Sequence, residues 1–289
     1  MSRRELGRSG LTFFPVGLGG MPLSVQGRPD EARALETLRA ALDAGVDFID
    51  TADVYCLDDR ELGHNERLIR KALEAAGRRS KVAVATKGGM KRPGGAWTRD
   101  ASPAHLRAAC EASLRALGVE AIALYQLHAP DPKGPLAESV GELARLKQEG
   151  KILHIGLSNV DETQLEAALR IVRVESVQNR CNPFDPEDYR GGVLAACERH
   201  GVSYLPYGVV GGHRGQRRVG ADPLLQELGR KHGASPYAVT VAWHLARSPR
   251  VLPIPGASRP ESIRDSCSAT TLRLEPEELR RIDALAAAG

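Results

Sequence analysis

Eight short apolar runs recur along the chain, at about 15–19, 46–50, 82–86, 122–127, 152–156, 174–178, 202–206 and 251–254. The segments between them place apolar residues at helical spacing. Asp30 to Ala44 sets Leu35, Leu38 and Leu42 on one side and stops at Gly45. Leu136 to Glu149 repeats this with Leu136, Val140, Leu143 and Leu146 before Gly150. The segment 102–117 opens on Ser102-Pro103, a capping residue followed by proline at the first helical position, where its missing N–H costs nothing. Further helices are predicted at about 64–76, 161–171, 188–200, 223–232, 236–247, 260–268 and 276–287. Ahead of the first run, residues 6–14 read as a short hairpin turning at Gly7 and Gly10.

Strands that alternate with helices must run parallel, because the crossover needs the helix. Eight such units predict an α/β fold, a (β/α)8 TIM barrel with an N-terminal hairpin and extra helices, as a single domain over 1–289. A doubly wound sheet is the rival topology. Against it, no run leads into G-x-G-x-x-G: the nearest stretch, Gly17-Leu-Gly19-Gly20-Met21-Pro22, ends in proline. No phosphate loop of the G-x-x-x-x-G-K-[ST] type is present either. Two glycine-rich segments, 88–101 and 207–222, read as irregular loops on one face of the barrel.

Composition narrows the function. A net charge of +4 from 40 basic and 36 acidic residues gives no electrostatic case for nucleic acid or an anionic membrane. No apolar run approaches the ~20 residues of a membrane span, and the start has no signal-peptide core. Cys56, Cys110, Cys181, Cys197 and Cys267 are scattered without a CxxC pair, which points to reduced thiols in a cytoplasmic protein.

Four runs deliver a polar group at their carboxyl end: Asp50 with Tyr55, Lys87, His128, and Ser158 with Asn159. In a parallel barrel those ends share one face. A tyrosine with its ordinary pKa of about 10 is a poor acid at neutral pH. A neighbouring ammonium favours the phenolate and so acidifies the phenol, while an aspartate keeps that ammonium charged and fixed. A histidine at the same oxygen orients a carbonyl. The set protonates a carbonyl oxygen while something else attacks carbon, and a hydride must then come from a cofactor.

Asp50-Thr-Ala-Asp-Val-Tyr55, Ala85-Thr-Lys87, Gln126-Leu-His128-Ala-Pro-Asp131 and Gly156-Leu-Ser158-Asn159 resemble signatures of the aldo-keto reductase superfamily. Val177-Gln178-Asn179, Tyr204-Leu-Pro206 and Ile254-Pro-Gly256-Ala-Ser258-Arg259-Pro260 resemble later ones, in order. The resemblance implies NADPH-dependent reduction of a small-molecule aldehyde or ketone in a TIM barrel, with Tyr55 as acid, Lys87 and Asp50 tuning it and His128 orienting the carbonyl. It implies that Ser158, Asn159 and Gln178 hold the nicotinamide carboxamide and that Tyr204 stacks on the ring. Gly20 and Met21 would lie beside it, and backbone from Leu205 and Pro206 through Gly208 to Gly211 would cover the pyrophosphate. Gly256, Ser258, Arg259 and Asp265 would grip the adenosine end, with Arg259 on a 2′-phosphate as NADPH (or NADP+) requires.

Departures from the pattern are Cys56 where glycine usually follows the tyrosine, expected to narrow the pocket, Leu205 in place of a serine, and Ser262 and Ser266 near the adenine. His154 and His244 read as packing histidines. Arg214, Arg217 and Arg218 form a basic stretch that either reaches cofactor phosphates or is solvated. Trp97 is expected to form an aromatic wall of the pocket. Two other functions remain open: a cofactor-binding regulatory subunit, and a metal-dependent barrel enzyme using Asp50, Asp53, His128 and Asp131. Nothing in the pattern of surface residues forces association, so a monomer is compatible with the sequence.

Overall fold

The computed structural model describes residues 2–288, with side chains given for all of these except 213, 214, 287 and 288. Seven strands pair in parallel in chain order: β1 (Leu18–Gly19), β2 (Phe48–Asp50), β3 (Ala83–Gly88), β4 (Ile122–Leu127), β5 (Ile152–Ser158), β6 (Ser176–Gln178) and β7 (Ser203–Tyr204). Residues 251–256 close the ring, with Val251 bridging Tyr204 on one side and Gly256 bridging Gly19 on the other. Here Leu252 and Ile254 donate to the carbonyls of Tyr204 and Pro206, and Gly17 and Gly19 donate to those of Pro253 and Pro255. The two prolines have no N–H to return to β1, so this eighth segment completes the barrel with only half a ladder on that side. The fold is a (β/α)8 barrel.

Alternate side chains of each strand face the barrel axis. Phe48, Ala85, Leu124, Leu205, Leu252 and Ile254 fill the interior. The hairpin of Arg4–Glu5 and Thr12–Phe13 adds Leu6 and Phe13 to the same cluster, with the Phe13 and Phe48 ring centroids 5.2 Å apart. Two residues further along the same strand faces stand Asp50, Lys87 and Gln126. Hydrophobic fill therefore gives way to polar chemistry within one pleat repeat.

The helices follow their caps. Asp30, Ser102, Asp161, Asp222 and Ser235 each accept from a first-turn N–H of the helix they open. Three expectations change. The run 188–200 is two pieces, Glu187–Arg190 and Val193–His200, because Gly191 and Gly192 interrupt it. Most of 207–222 is a helix, Gly212–Ala221, despite its glycines. One of these is closely packed: a Cβ at Gly220 would stand 2.4 Å from the Tyr237 hydroxyl, and that side chain would have to move. The other irregular segment, 88–101, is a hairpin pairing Met90–Lys91 with Thr98–Arg99.

Candidate active site

β2 ends in Asp50 and β3 carries Lys87, and the parallel register between them sets the two side chains on the axis. Lys87 Nζ donates to Asp50 Oδ2 at 2.6 Å, to the Thr51 carbonyl at 2.8 Å and to the Tyr55 hydroxyl at 3.0 Å. The lysine is fully buried, and Asp50, Tyr55 and His128 are also buried. Burial works to lower the Lys87 ammonium, but the Asp50 carboxylate and the Tyr55 oxygen outweigh it and leave it above its ordinary value.

The tyrosine behaves differently from the expectation. Burial pushes the Tyr55 phenol up to about 12, against the pull of Lys87, whose charge Asp50 partly cancels at the same place. Tyr55 is therefore a neutral phenol that the lysine makes less weak than burial alone would. His128 is pushed well below its usual range, by burial first and by Lys87 second, so its imidazole is neutral. The Tyr55 and His128 ring centroids lie 5.8 Å apart, nearly perpendicular, and Trp97 stands edge-on to both at 6.4 Å.

Asp50 has a second set of partners. Its Oδ1 accepts from Gln126 Nε2 at 3.0 Å and Gln178 Nε2 at 2.7 Å. Gln178 thus donates to the aspartate, not outward. Gln126 opens the motif Gln126-Leu-His128 and stands two residues before His128 on the same strand face, the sequence feature that marks it as a bracing partner of Asp50. At the rim, Asn159 sits in the left-handed region at φ 58, which asparagine tolerates. Its Nδ2 donates to the His128 carbonyl at 2.9 Å and its Oδ1 accepts from the Tyr207 hydroxyl at 2.8 Å. Ser158 lies buried beneath it.

Three of the expected cofactor contacts are not brought to this face. Tyr204 is fully buried on the helix side, its hydroxyl donating to Asp188 and its ring against Tyr189. The pleat explains this: residues 205 and 207 face the axis, so Tyr207 and not Tyr204 enters the site. Leu205 packs in the barrel interior and spends its N–H on the Val177 carbonyl. Pro206 gives its carbonyl to Ile254.

Other positions reach the mouth. Gly20 leaves β1 beside Asp50, where a Cβ would stand 2.5 Å from Asn65 Oδ1, and Met21 is exposed just after it. Gly208 is half-buried with φ 63. Gly256, Ser258 and Arg259 are exposed at the start of the helix Pro260–Ser268, which has no side-chain cap. Arg259 Nε donates to Ser262 Oγ at 3.1 Å. Asp265 accepts from Ser235, the cap of a neighbouring helix. Arg218 stacks over Phe184, and the Arg214 side chain lies outside the described residues. Cys56 is completely buried with its thiol raised to about 11 by burial, so it does not line an open pocket. Asp53 faces a space between two helices together with Glu66, away from Asp50 and His128.

A model of the aldo/keto reductase family matches residues 15–287. The chain belongs to the aldo/keto reductase family. An uncharacterized oxidoreductase of Schizosaccharomyces pombe is 33% identical over 274 residues, 93% of this chain and 85% of that protein. The solved glycerol dehydrogenase of Gluconobacter oxydans is similar at a TM-score of 0.84 and 29% identity, covering 99% of this chain and 95% of its own. The holo form of an aldo-keto reductase from Bacillus halodurans gives 0.81 and 28%, covering 100% and 97%. As a member of this family the protein is an oxidoreductase of nicotinamide-dependent carbonyl reduction, acting on small molecules. Among the described residues no helix is long and apolar enough to cross a membrane.

The residues at the mouth fit a dinucleotide. An uncapped helix N-terminus with an exposed arginine beside it offers N–H groups and charge to phosphate. Ser158 and Asn159 offer hydrogen bonds suited to a carboxamide.

Proposed function

We propose that this aldo-keto reductase reduces aldehydes or ketones with NADPH, using Tyr55 as the proton donor. One observation carries the reading: Lys87 Nζ lies between Asp50 Oδ2 at 2.6 Å and the Tyr55 hydroxyl at 3.0 Å, in a buried network. Bound NADPH supplies the hydride. Tyr55 gives its proton to the carbonyl oxygen, and Lys87 stabilises the phenolate left behind. Asp50, braced by Gln126 and Gln178, holds the lysine charged and in place. His128, being neutral, offers an N–H to the carbonyl oxygen and brings no competing charge.

For the cofactor, Ser158 and Asn159 are proposed to hold the carboxamide, with Gly20 and Met21 alongside and Tyr207 against the ring. Backbone from Gly208 to Gly211, with Gly256 and Ser258, serves the pyrophosphate. Arg259 at the helix start is proposed to select NADPH through its 2′-phosphate, which a planar guanidinium binds in paired hydrogen bonds. The five buried free thiols are consistent with a reducing, cytoplasmic setting.

The test is titration of NADPH and NADH by fluorescence, followed by absorbance decay with aromatic and aliphatic aldehydes. NADPH binding tighter than NADH, with turnover of part of the panel, is expected. Binding of neither nucleotide would overturn the reading.

A further inference from the structure

Arg92 is an arginine buried to 1% exposure in the hairpin that follows β3. Its Nη2 donates to the carbonyls of Cys56 at 3.0 Å and Leu57 at 2.9 Å, and to Gln26 Oε1 at 3.3 Å. Gln26 belongs to the loop after β1, Cys56 and Leu57 to the loop after β2. One guanidinium therefore ties together three loops of the catalytic face. Its Nε and Nη1 are buried and make no hydrogen bond. What stands against the guanidinium instead is the Trp97 indole, with the ring centroid 4.0 Å from Cζ. That stack is electrostatically favourable, and more so away from water.

The consequence falls on Trp97. The hairpin tip before it turns through Gly94 and Gly95, both at positive φ, and Trp97 directly precedes the paired strand Thr98–Arg99. The indole stands at 6.4 Å from both Tyr55 and His128 while 44% exposed. Met90 packs against the Tyr55 cluster beside it, and Met21 is exposed across the mouth. An indole and the Met90 thioether make a polarizable, apolar surface next to the Tyr55 oxygen.

We propose that Arg92 is a positioning residue that sets the substrate class: by clamping Trp97 beside Tyr55 and His128, it favours carbonyl compounds carrying a flat aromatic group over short aliphatic ones. The proposal rests on the reductase reading for its substrate arm, but the clamp itself is observable without turnover. The chain has two tryptophans, and Trp243 is buried, so solvent-sensitive emission reports on Trp97.

The experiment compares wild type, Arg92→Leu, Arg92→Lys and Trp97→Ala. Emission and acrylamide quenching are read with and without NADPH, and kcat/KM is measured for benzaldehyde and butanal. In Arg92→Leu, Trp97 emission shifts to the red and quenches more readily. The benzaldehyde-to-butanal ratio falls by about tenfold, the scale of one partly buried cation–π contact. The ratio converges on that of Trp97→Ala, while NADPH affinity stays within about twofold. Arg92→Lys keeps a cation but not the planar fork, and lies between the two. It also carries the test if Arg92→Leu does not fold. Equal loss on both aldehydes with unchanged emission overturns the proposal, as does an Arg92→Lys variant with wild-type selectivity and emission. A wild type that turns over neither aldehyde defeats the reductase reading instead, and the emission shift still decides whether the clamp exists.

Discussion

At the scale of single residues, the site separates two ionisable groups that touch. Lys87 keeps its charge in the absence of water because the Asp50 carboxylate, together with the hydrogen bonds to Asp50 and to the Tyr55 oxygen, outweighs the penalty of burial. Tyr55 keeps its proton because burial outweighs Lys87. The pair is a charged lysine against a neutral phenol, the state from which a proton can be given. His128, held below its ordinary range, is already neutral where a free histidine of pKa about 6.5 would titrate. The reduction kcat/KM is therefore expected to stay flat from about pH 6 to 9, with no limb near 6.5. A limb there in the pH profile would contradict the neutral histidine. The proximity of Asp50, Lys87 and His128 was legible because each ends an apolar run, and that of Tyr55 because it follows Asp50 in the same motif. The place of Tyr207 was not: it and Tyr204 stand on either side of Leu205-Pro206, and only the pleat direction of β7 separates a side chain facing Tyr189 from one reaching Asn159.

At the scale of elements, caps and prolines spoke clearly, and glycines did not. Ser102-Pro103 and Ser235-Pro236 open helices where expected. The segment 207–222 read as loop because glycine disfavours helix by about 1 kcal/mol per residue. Tertiary packing overrides that, since Val219 is buried with Leu225, Leu228, Val239 and Trp243. The N-terminal hairpin was visible as a hairpin, but its role as a plug depends on contacts distant in sequence. Phe13 is buried against Phe48, two residues before Asp50. Phe13→Ala is expected to lower unfolding free energy by about 3–5 kcal/mol in a denaturant titration. A loss under about 1 kcal/mol would mean that the hairpin does not close the barrel core.

At the scale of the whole molecule, the barrel was legible from eight apolar runs, although the eighth is not a regular strand: Pro253 and Pro255 remove its donors toward β1. The packing also fixes a response to acid. His244 is buried against Trp243 and Tyr189, and burial lowers it to about 3. Its folded value lies below its unfolded value of about 6.5, so its contribution is present above that value and is lost as pH falls. The stability gap between wild type and His244→Gln should therefore narrow by about 3 kcal/mol between pH 7 and 4. A constant gap in unfolding titrations would mean that His244 protonates in the fold. The same architecture divides labour between elements. On the proposed reading, Arg259, Ser158 and Asn159 would hold the cofactor's phosphate and carboxamide groups, and the proton would come from Tyr55 in the loop after β2. The most direct test of the account is therefore Tyr55→Phe, assayed by NADPH fluorescence titration and by aldehyde-dependent absorbance decay. Turnover is predicted to be lost while NADPH affinity stays within a few-fold. Retained turnover, or lost NADPH binding, would show that Tyr55 is not the proton donor of this site.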